Sequence, residues 1–263
     1  MGKYIEIIRI RFLMMLAYRT NYYTGIVIYT INIGAYFFLW KAIYGHQGSI
    51  QGVSVNQMTT YVAIAWMARA FYFNNLDREI AEEIVEGKVA IELIRPYNYL
   101  LTKVMQGLGE GIFRFFFFSI PGFIIVALIF RLDVSFNLKT LGLFLIASIF
   151  SFAINTQLNL LTGLMAFFLQ NNMGFIQAKR VIIDLFSGLT IPITFFPVWA
   201  QDVMKYLPFQ GISYIPSMIF AQGIKGELIL RGLLFQVIWI IILCIPITLI
   251  WYKAKKHLVI QGG

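Results

Sequence analysis

Charge is scarce in this chain. Asp, Glu, Lys and Arg make up 13% of its 263 residues, about half the share of a soluble domain, which is too little to coat a water-facing globule. Cysteine is scarcer still. Cys244 is the single one and lies in an apolar run, so an intrachain disulfide is excluded and one thiol builds no metal site alone. The two histidines, His46 in a predicted outer loop and His257 in a basic tail, have no metal-ligand spacing within a span. The chain also lacks a Gly-rich phosphate loop ending in Lys-Ser or Lys-Thr and a serine nucleophile elbow. These absences predict a chain that is not itself catalytic and holds no metal or cofactor. The N-terminus lacks a cleavable-signal pattern, because Arg9, Arg11 and Arg19 interrupt the first apolar stretch. Glu6 stands where a myristoylation motif wants Ser or Thr.

What the chain has in quantity is hydrocarbon. Hydrophobic residues reach 59%, well above the roughly 45–50% of soluble domains, and this places the chain in the all-α integral membrane class. Its net charge of +9 would point to nucleic acid in a soluble protein. Here the bases flank apolar runs, so they set orientation and meet anionic lipid headgroups, and no nucleic-acid partner is expected.

Along the chain, residues 1–20 alternate charge with an Ile5, Ile8, Phe12 and Met15 stripe, which predicts an interfacial helix. Thr20 to Trp40 carries no charge and is long enough to cross a roughly 30 Å core, with Tyr22, Tyr23, Trp40 and Tyr44 as belt aromatics. Met58 to Asn74 reads as a second span with Arg69 near its end, and Phe113 to Phe130 as a third, entered through a Glu110–Arg114 pair. Arg131, Asp133 and Lys139 mark the next turn. A tilted or broken fourth span covers roughly 140–168, and Gln170, Asn171, Asn172 and Gly174 make the loop after it. The fifth starts at Lys179–Arg180 and is cut short by Pro192 and Pro197. Residues 197–228 read as short helices dipping into one interface, a re-entrant arrangement, and Gly232 to Tyr252 is the sixth span. With the N-terminus taken as cytoplasmic, fourteen bases fall inside. Six fall outside (Lys41, Arg131, Lys139, Lys205, Lys225 and Arg231), with Arg69 uncounted, a positive-inside bias. No internal repeat is evident.

Between Asp77 and Glu110 stand seven of the twelve carboxylates. Arg78 and Glu82 have i, i+4 spacing, Gly87 breaks the helix, and Pro96 makes Arg95 extended. Val89, Ile91, Leu93 and Ile94 make this cytoplasmic segment too apolar for a free linker, which favours docking onto a protein. In the spans, Asn155, Gln157 and Asn159 are amides at depth that must find partners, either at a helix interface or along a substrate path. Asp184 is placed to pair with Arg180 at i−4. Pro192, Pro197 and Trp199 either end a helix or form a constriction.

At this point the chain resembles the membrane (permease) subunits of type-2 ATP-binding-cassette exporters over nearly its whole length. The motifs that carry the resemblance are EEIVEGKVAIELIRPYNYL, Glu82 to Leu100, and GLTIPITFFPVWAQDVMKYLPF, Gly188 to Phe209. The resemblance implies a dimer, with a second permease subunit identical or homologous, driven by a cytoplasmic ATPase dimer that holds ATP and Mg. It implies an ATPase-coupling segment at Asp77, Arg78, Glu79, Glu82, Glu83, Glu86 and Gly87, with the Arg95–Pro96 bend. It also implies an outer gate at Pro192, Pro197, Trp199 and Pro208. The expected setting is multi-pass in a bacterial plasma (inner) membrane with both termini cytoplasmic, and the expected cargo a drug, lipid or peptide. The short first outer loop departs from members that carry large extracellular modules. Two other readings stand beside it: an ATPase-independent channel or secondary carrier, which transport without an ATPase would favour, and a non-transporting scaffold or immunity protein, which a complex that moves nothing would favour.

Overall fold

The computed structural model describes residues 2–17, 20–50, 53–132, 134, 137–169, 171–221 and 223–261, with backbone alone at 20–22 and 257–261. Arg19, Asp133 and Gln170, and the side chains of Tyr22 and His257, lie outside the described residues. Among those described, the regular elements are all helical, with a single bridge between Ile50 and Val53.

Helix α1 (Gly2–Ala17) precedes α2 (Thr20–Tyr44), α3 (Val55–Tyr72), α4 (Leu76–Val85) and α5 (Lys88–Ile94). Helix α6 (Tyr99–Arg114) runs through a π-turn at Phe115–Ser119 into α7 (Ile120–Phe130). Then come α8 (Leu138–Leu164), α9 (Met173–Phe186), α10 (Val198–Met204), α11 (Tyr214–Phe220) and α12 (Glu227–Gln261). Among the described residues, four stretches are long and apolar enough to cross a bilayer: Tyr23–Tyr44, Tyr99–Phe130, Leu138–Phe167 and Glu227–Lys256. Their outward faces carry Ile28, Ile31, Phe38, Leu128, Ile238, Ile241 and Ile245. Apolar surface of that extent has no stable place in water, so the chain is a multi-pass membrane protein.

Several expectations are corrected here. The third apolar helix begins at Tyr99, not Phe113, so Lys103 and Glu110 ride on a 32-residue helix rather than in a loop. Asn98 sets that start by capping: its Oδ1 accepts the Leu101 N–H at 3.0 Å. Helix α9 begins at Met173, which puts Lys179 and Arg180 in mid-helix. The expected second and fifth spans correspond to α3, of 18 residues, and α9, of 14. Neither is among the four: α9 is too short, and α3 carries Asn56, Gln57, Thr59, Thr60 and Arg69, with Thr59, Thr60 and Tyr61 buried beside Val62, Ala63 and Ile64.

The long, half-buried α8 is the hub, packing against α12, α4, α11 and α3. Ile64 and Met67 of α3, Phe144, Phe152 and Ile154 of α8, Ile215 and Ile219 of α11, and Leu243 of α12 form one core. A second core joins Leu76 and Ile80 of α4 and Val89 of α5 to Tyr99, Leu160, Leu164 and Ile247. Each fully buried aliphatic side chain contributes about 1.5–3 kcal/mol, so the short α4 and α5 are held by the bundle and not by their own length. Helix α6 is gripped from two sides through glycine. A Cβ at Gly109 would lie 2.5 Å from Ile8 O of α1, and one at Gly111 would lie 2.5 Å from Phe71 O of α3.

Candidate functional site

The elbow formed by α4, Gly87 and α5 begins as a sequence-driven structure. Asp77 and Glu79 occupy the first turn of α4, where carboxylates favour the positive end of the helix dipole. Leu76, Ile80 and Ala81 turn inward. Gly87 then adopts φ +72°, a left-handed conformation that costs other residues. Arg95 is extended at ψ 146° before Pro96. The far side of the elbow is left bare: Val85, Ile91 and Ile94 are 68%, 61% and 85% exposed. Glu82, Glu86, Lys88, Arg95 and Pro96 of the same segment are exposed as well. Lys88 pairs with Glu86, which raises the amine's pKa. Arg95 bonds Tyr97 Oη at 2.7 Å and Glu92 at 2.9 Å, and both raise its pKa, Tyr97 more.

The near side is locked into the bundle by charge. Asp77 is 0% exposed and receives Lys179 Nζ at 2.6 Å, with Arg180 at 3.8 Å. Lys179 also donates to Asn159 Oδ1 and to Thr162 Oγ1 of α8. Glu83 takes Lys103, and the Tyr99 hydroxyl donates to it at 2.7 Å. Arg11 of α1 bridges Glu79 and, at 2.8 Å, Glu110. Burial disfavours the Arg11 charge, yet Glu79 and Glu110 outweigh it and raise its pKa. The expected Glu110–Arg114 pair is present. Two other expected pairs are replaced. Arg78 makes no ion pair with Glu82 and bonds instead through its backbone N–H to Asp77 Oδ1 at 2.9 Å. Asp184 is gripped by both guanidinium nitrogens of Arg69, not by Arg180, because Arg180 turns to Asn75 Oδ1 at 2.7 Å.

The nine residues expected at the coupling segment therefore divide by direction. Glu82, Glu86, Gly87, Arg95 and Pro96 face out, whereas Asp77 is sealed in, Arg78 is half-buried, and Glu79 and Glu83 tie the elbow to its neighbours. Sequence alone could not separate them, since the same carboxylate serves a solvated face or a buried clamp.

The three amides of α8 serve helix contacts. Asn155 Nδ2 donates to Tyr72 O at 2.9 Å, and Asn159 Nδ2 to Asn74 O at 3.1 Å and Asn74 Oδ1 at 2.7 Å. They cap the carbonyls freed where α3 stops and α4 starts. Gln157 donates to Ile240 O at 2.8 Å, binding α8 to α12. Three residues were missed: Asn74, which donates to Thr156 Oγ1 at 3.1 Å; Thr156 itself; and fully buried Gln236, which donates to Gly211 O at 2.7 Å. The Asn74–Asn75 doublet closing an aromatic helix was the readable signal for the first.

At the other end, Pro192 is buried before a short 3-10 turn, and Pro197 sets the start of α10. Trp199 stands 72% exposed. Pro208 is buried and opens a second 3-10 turn. Gln201 Nε2 folds the segment by donating to Thr194 O at 3.1 Å and Phe196 O at 2.7 Å. The Tyr61 hydroxyl of α3 donates to Gly188 O. A cavity of about 210 Å³ lies between Gln57, Thr60 and Tyr61 of α3 and Pro192, Phe195 and Met218. Pro192 reaches that cavity, whereas Trp199 points elsewhere.

Among the described residues, no three His, Cys, Asp or Glu side chains gather as a metal site. Compared with known proteins, residues 30–262 match the family model described as ABC-2 family transporter protein. A search of curated proteins returned no match.

Proposed function

This chain belongs to the ABC-2 family of transporter proteins, and from that premise we propose that it is the membrane half of an ATP-driven exporter. Two such halves, identical or homologous, enclose the pathway. A separate cytoplasmic ATPase dimer holds ATP and Mg and supplies the work. In this reading α3 and α9 complete six spans, residues 197–228 form a re-entrant outer segment, and both termini are cytoplasmic in a plasma membrane.

The observation that carries the proposal is the two-faced elbow. Its outer side offers exposed Val85, Ile91 and Ile94 with Glu82, Glu86 and Arg95 exposed on the same segment, a combination of apolar and charged groups of the kind that seats in a protein cleft. Its inner side is welded by Asp77–Lys179 to α9, by Glu83–Lys103 to α6 and by Glu79–Arg11 to α1. A push on that outer side therefore moves helices rather than bending a loop. Closure of the ATPase dimer would drive the two elbows together. The motion would pass along α8 and α9 to the segment around Pro192, Pro197 and Pro208, and cargo (drug, lipid or peptide) would leave between the halves. Such coupling needs contacts that differ between two states.

The test is co-purification of the tagged chain with its ATPase from native membranes. Ile94→Asp and Glu86→Lys should each reduce the recovered ATPase about tenfold, equivalent to roughly 1.4 kcal/mol, with the chain still inserted in the membrane. Undiminished recovery, with transport unaffected, would refute the assignment of this elbow.

A further inference from the structure

A second cavity, of about 230 Å³, lies away from the elbow and from the outer segment. One wall is a face of α3, with Trp66, Arg69 and Ala70 at i, i+3 and i+4, continued by Phe73 just past the helix end. The other is Arg114 and Phe118, an i, i+4 pair running from α6 into the π-turn. Pro121 explains that turn. It has no N–H for the helical ladder, and its ring crowds the carbonyl four residues back. The helix widens, and the Ile120 N–H reaches Phe115 O, five residues back. Short π-turns of this kind often mark functional positions.

The polar groups of the cavity are donors. Arg69 and Arg114 bring guanidinium groups, and Trp66 brings its ring. No carboxylate lines the cavity. Asp184 and Glu110 pair with the two arginines, and neither lines the cavity. The arginines are also held in place. Arg69 lies 5.5 Å from the Trp66 ring and 5.1 Å from the Phe73 ring, and Arg114 lies 5.7 Å from Phe73. Cation–π stacking fixes their planes, so little order is lost when an anion arrives.

We propose that this cavity binds the anionic head of an amphiphile, a phosphate or carboxylate joined to a hydrocarbon chain. The guanidinium groups take the oxygens, and Trp66, Ala70, Phe73 and Phe118 take the first methylenes. The volume is smaller than the roughly 300–1,000 Å³ that encloses a whole drug-sized ligand, so the rest of the chain projects through the open side. A cationic head is disfavoured by the two guanidinium groups, and a neutral polar head gains no charge-assisted bond.

The test uses the full chain in phosphatidylcholine nanodiscs and follows thermal unfolding against added dodecyl phosphate, because a ligand that binds the folded state raises its midpoint. The midpoint should rise saturably with dodecyl phosphate. It should move far less with dodecanol or dodecyltrimethylammonium, and not at all with inorganic phosphate. Ala70→Phe, which fills the cavity and leaves every ion pair in place, should abolish the shift. Arg69→Gln should weaken apparent affinity about tenfold, as loss of one charge-assisted bond does. An equal response to the neutral or cationic probe overturns the proposal, as does saturation by inorganic phosphate alone or an undiminished shift in Ala70→Phe. The probe series on the unaltered chain decides without any variant. Because no ATPase is present, its failure would leave the exporter reading standing.

Discussion

Asp77 shows how far one residue's meaning depends on its surroundings. By sequence it opens a run of carboxylates on an amphipathic segment, and nothing local distinguishes it from Glu82 or Glu86. In the fold it is sealed against Lys179, whose ammonium also serves Asn159 and Thr162. A buried ion pair repays its desolvation poorly, but losing one partner strands the other. Asp77→Ala should therefore destabilise the chain by about 3–5 kcal/mol, and Asp77→Ala with Lys179→Met should recover a large part of that loss. Thermal unfolding in detergent measures both. A double variant no more stable than Asp77→Ala would show that the pair does not hold α4 to α9. Arg69 and Asp184 teach the same lesson. Their link spans 115 positions, and the i−4 spacing of Arg180 pointed to the wrong partner.

At the scale of the element, sequence periodicity located the long apolar helices well and their ends less well. Asn98, the cap of α6, stands fifteen residues before Phe113, where hydropathy alone starts the span. Charge at Lys103 and Glu110 masked the helix because each is satisfied by protein, Lys103 by Glu83 and Glu110 by Arg11 and Arg114. The glycines of α6 were visible in the sequence as Gly107, Gly109 and Gly111, but their purpose was not. Their spacing lets backbones on two sides approach, as small-residue stripes do in membrane bundles. Gly111→Val would drive its side chain into the Phe71 carbonyl. Overpacking of this kind typically costs about 1–3 kcal/mol, to be read as a lowered unfolding midpoint. Gly142, with nothing within 4 Å of an added Cβ, should accept Ala without loss. Equal sensitivity at the two positions would rule out the close-approach account.

At the scale of the whole molecule, the proposed topology places the elbow and the 197–228 segment on opposite sides of the bilayer. The single cysteine makes this checkable. With Cys244→Ala as background, Glu86→Cys should react with an impermeant maleimide only in inside-out vesicles, and Trp199→Cys only in right-side-out cells. Labelling of Glu86→Cys from the cell exterior would invert the topology and remove the elbow from the reach of any cytosolic motor. The sequence by itself determined that this is a helical membrane protein. It also placed the breaks at Gly87 and Pro96, because hydropathy and backbone restriction are local properties carried by each residue wherever it sits. Which carboxylates face out, which amides clamp the start of α4, and how Trp66, Arg69, Arg114 and Phe118 come to share one cavity were decided only by tertiary packing. A charge or an amide acquires its role from the partner it meets, and here those partners lie tens of positions away along the chain.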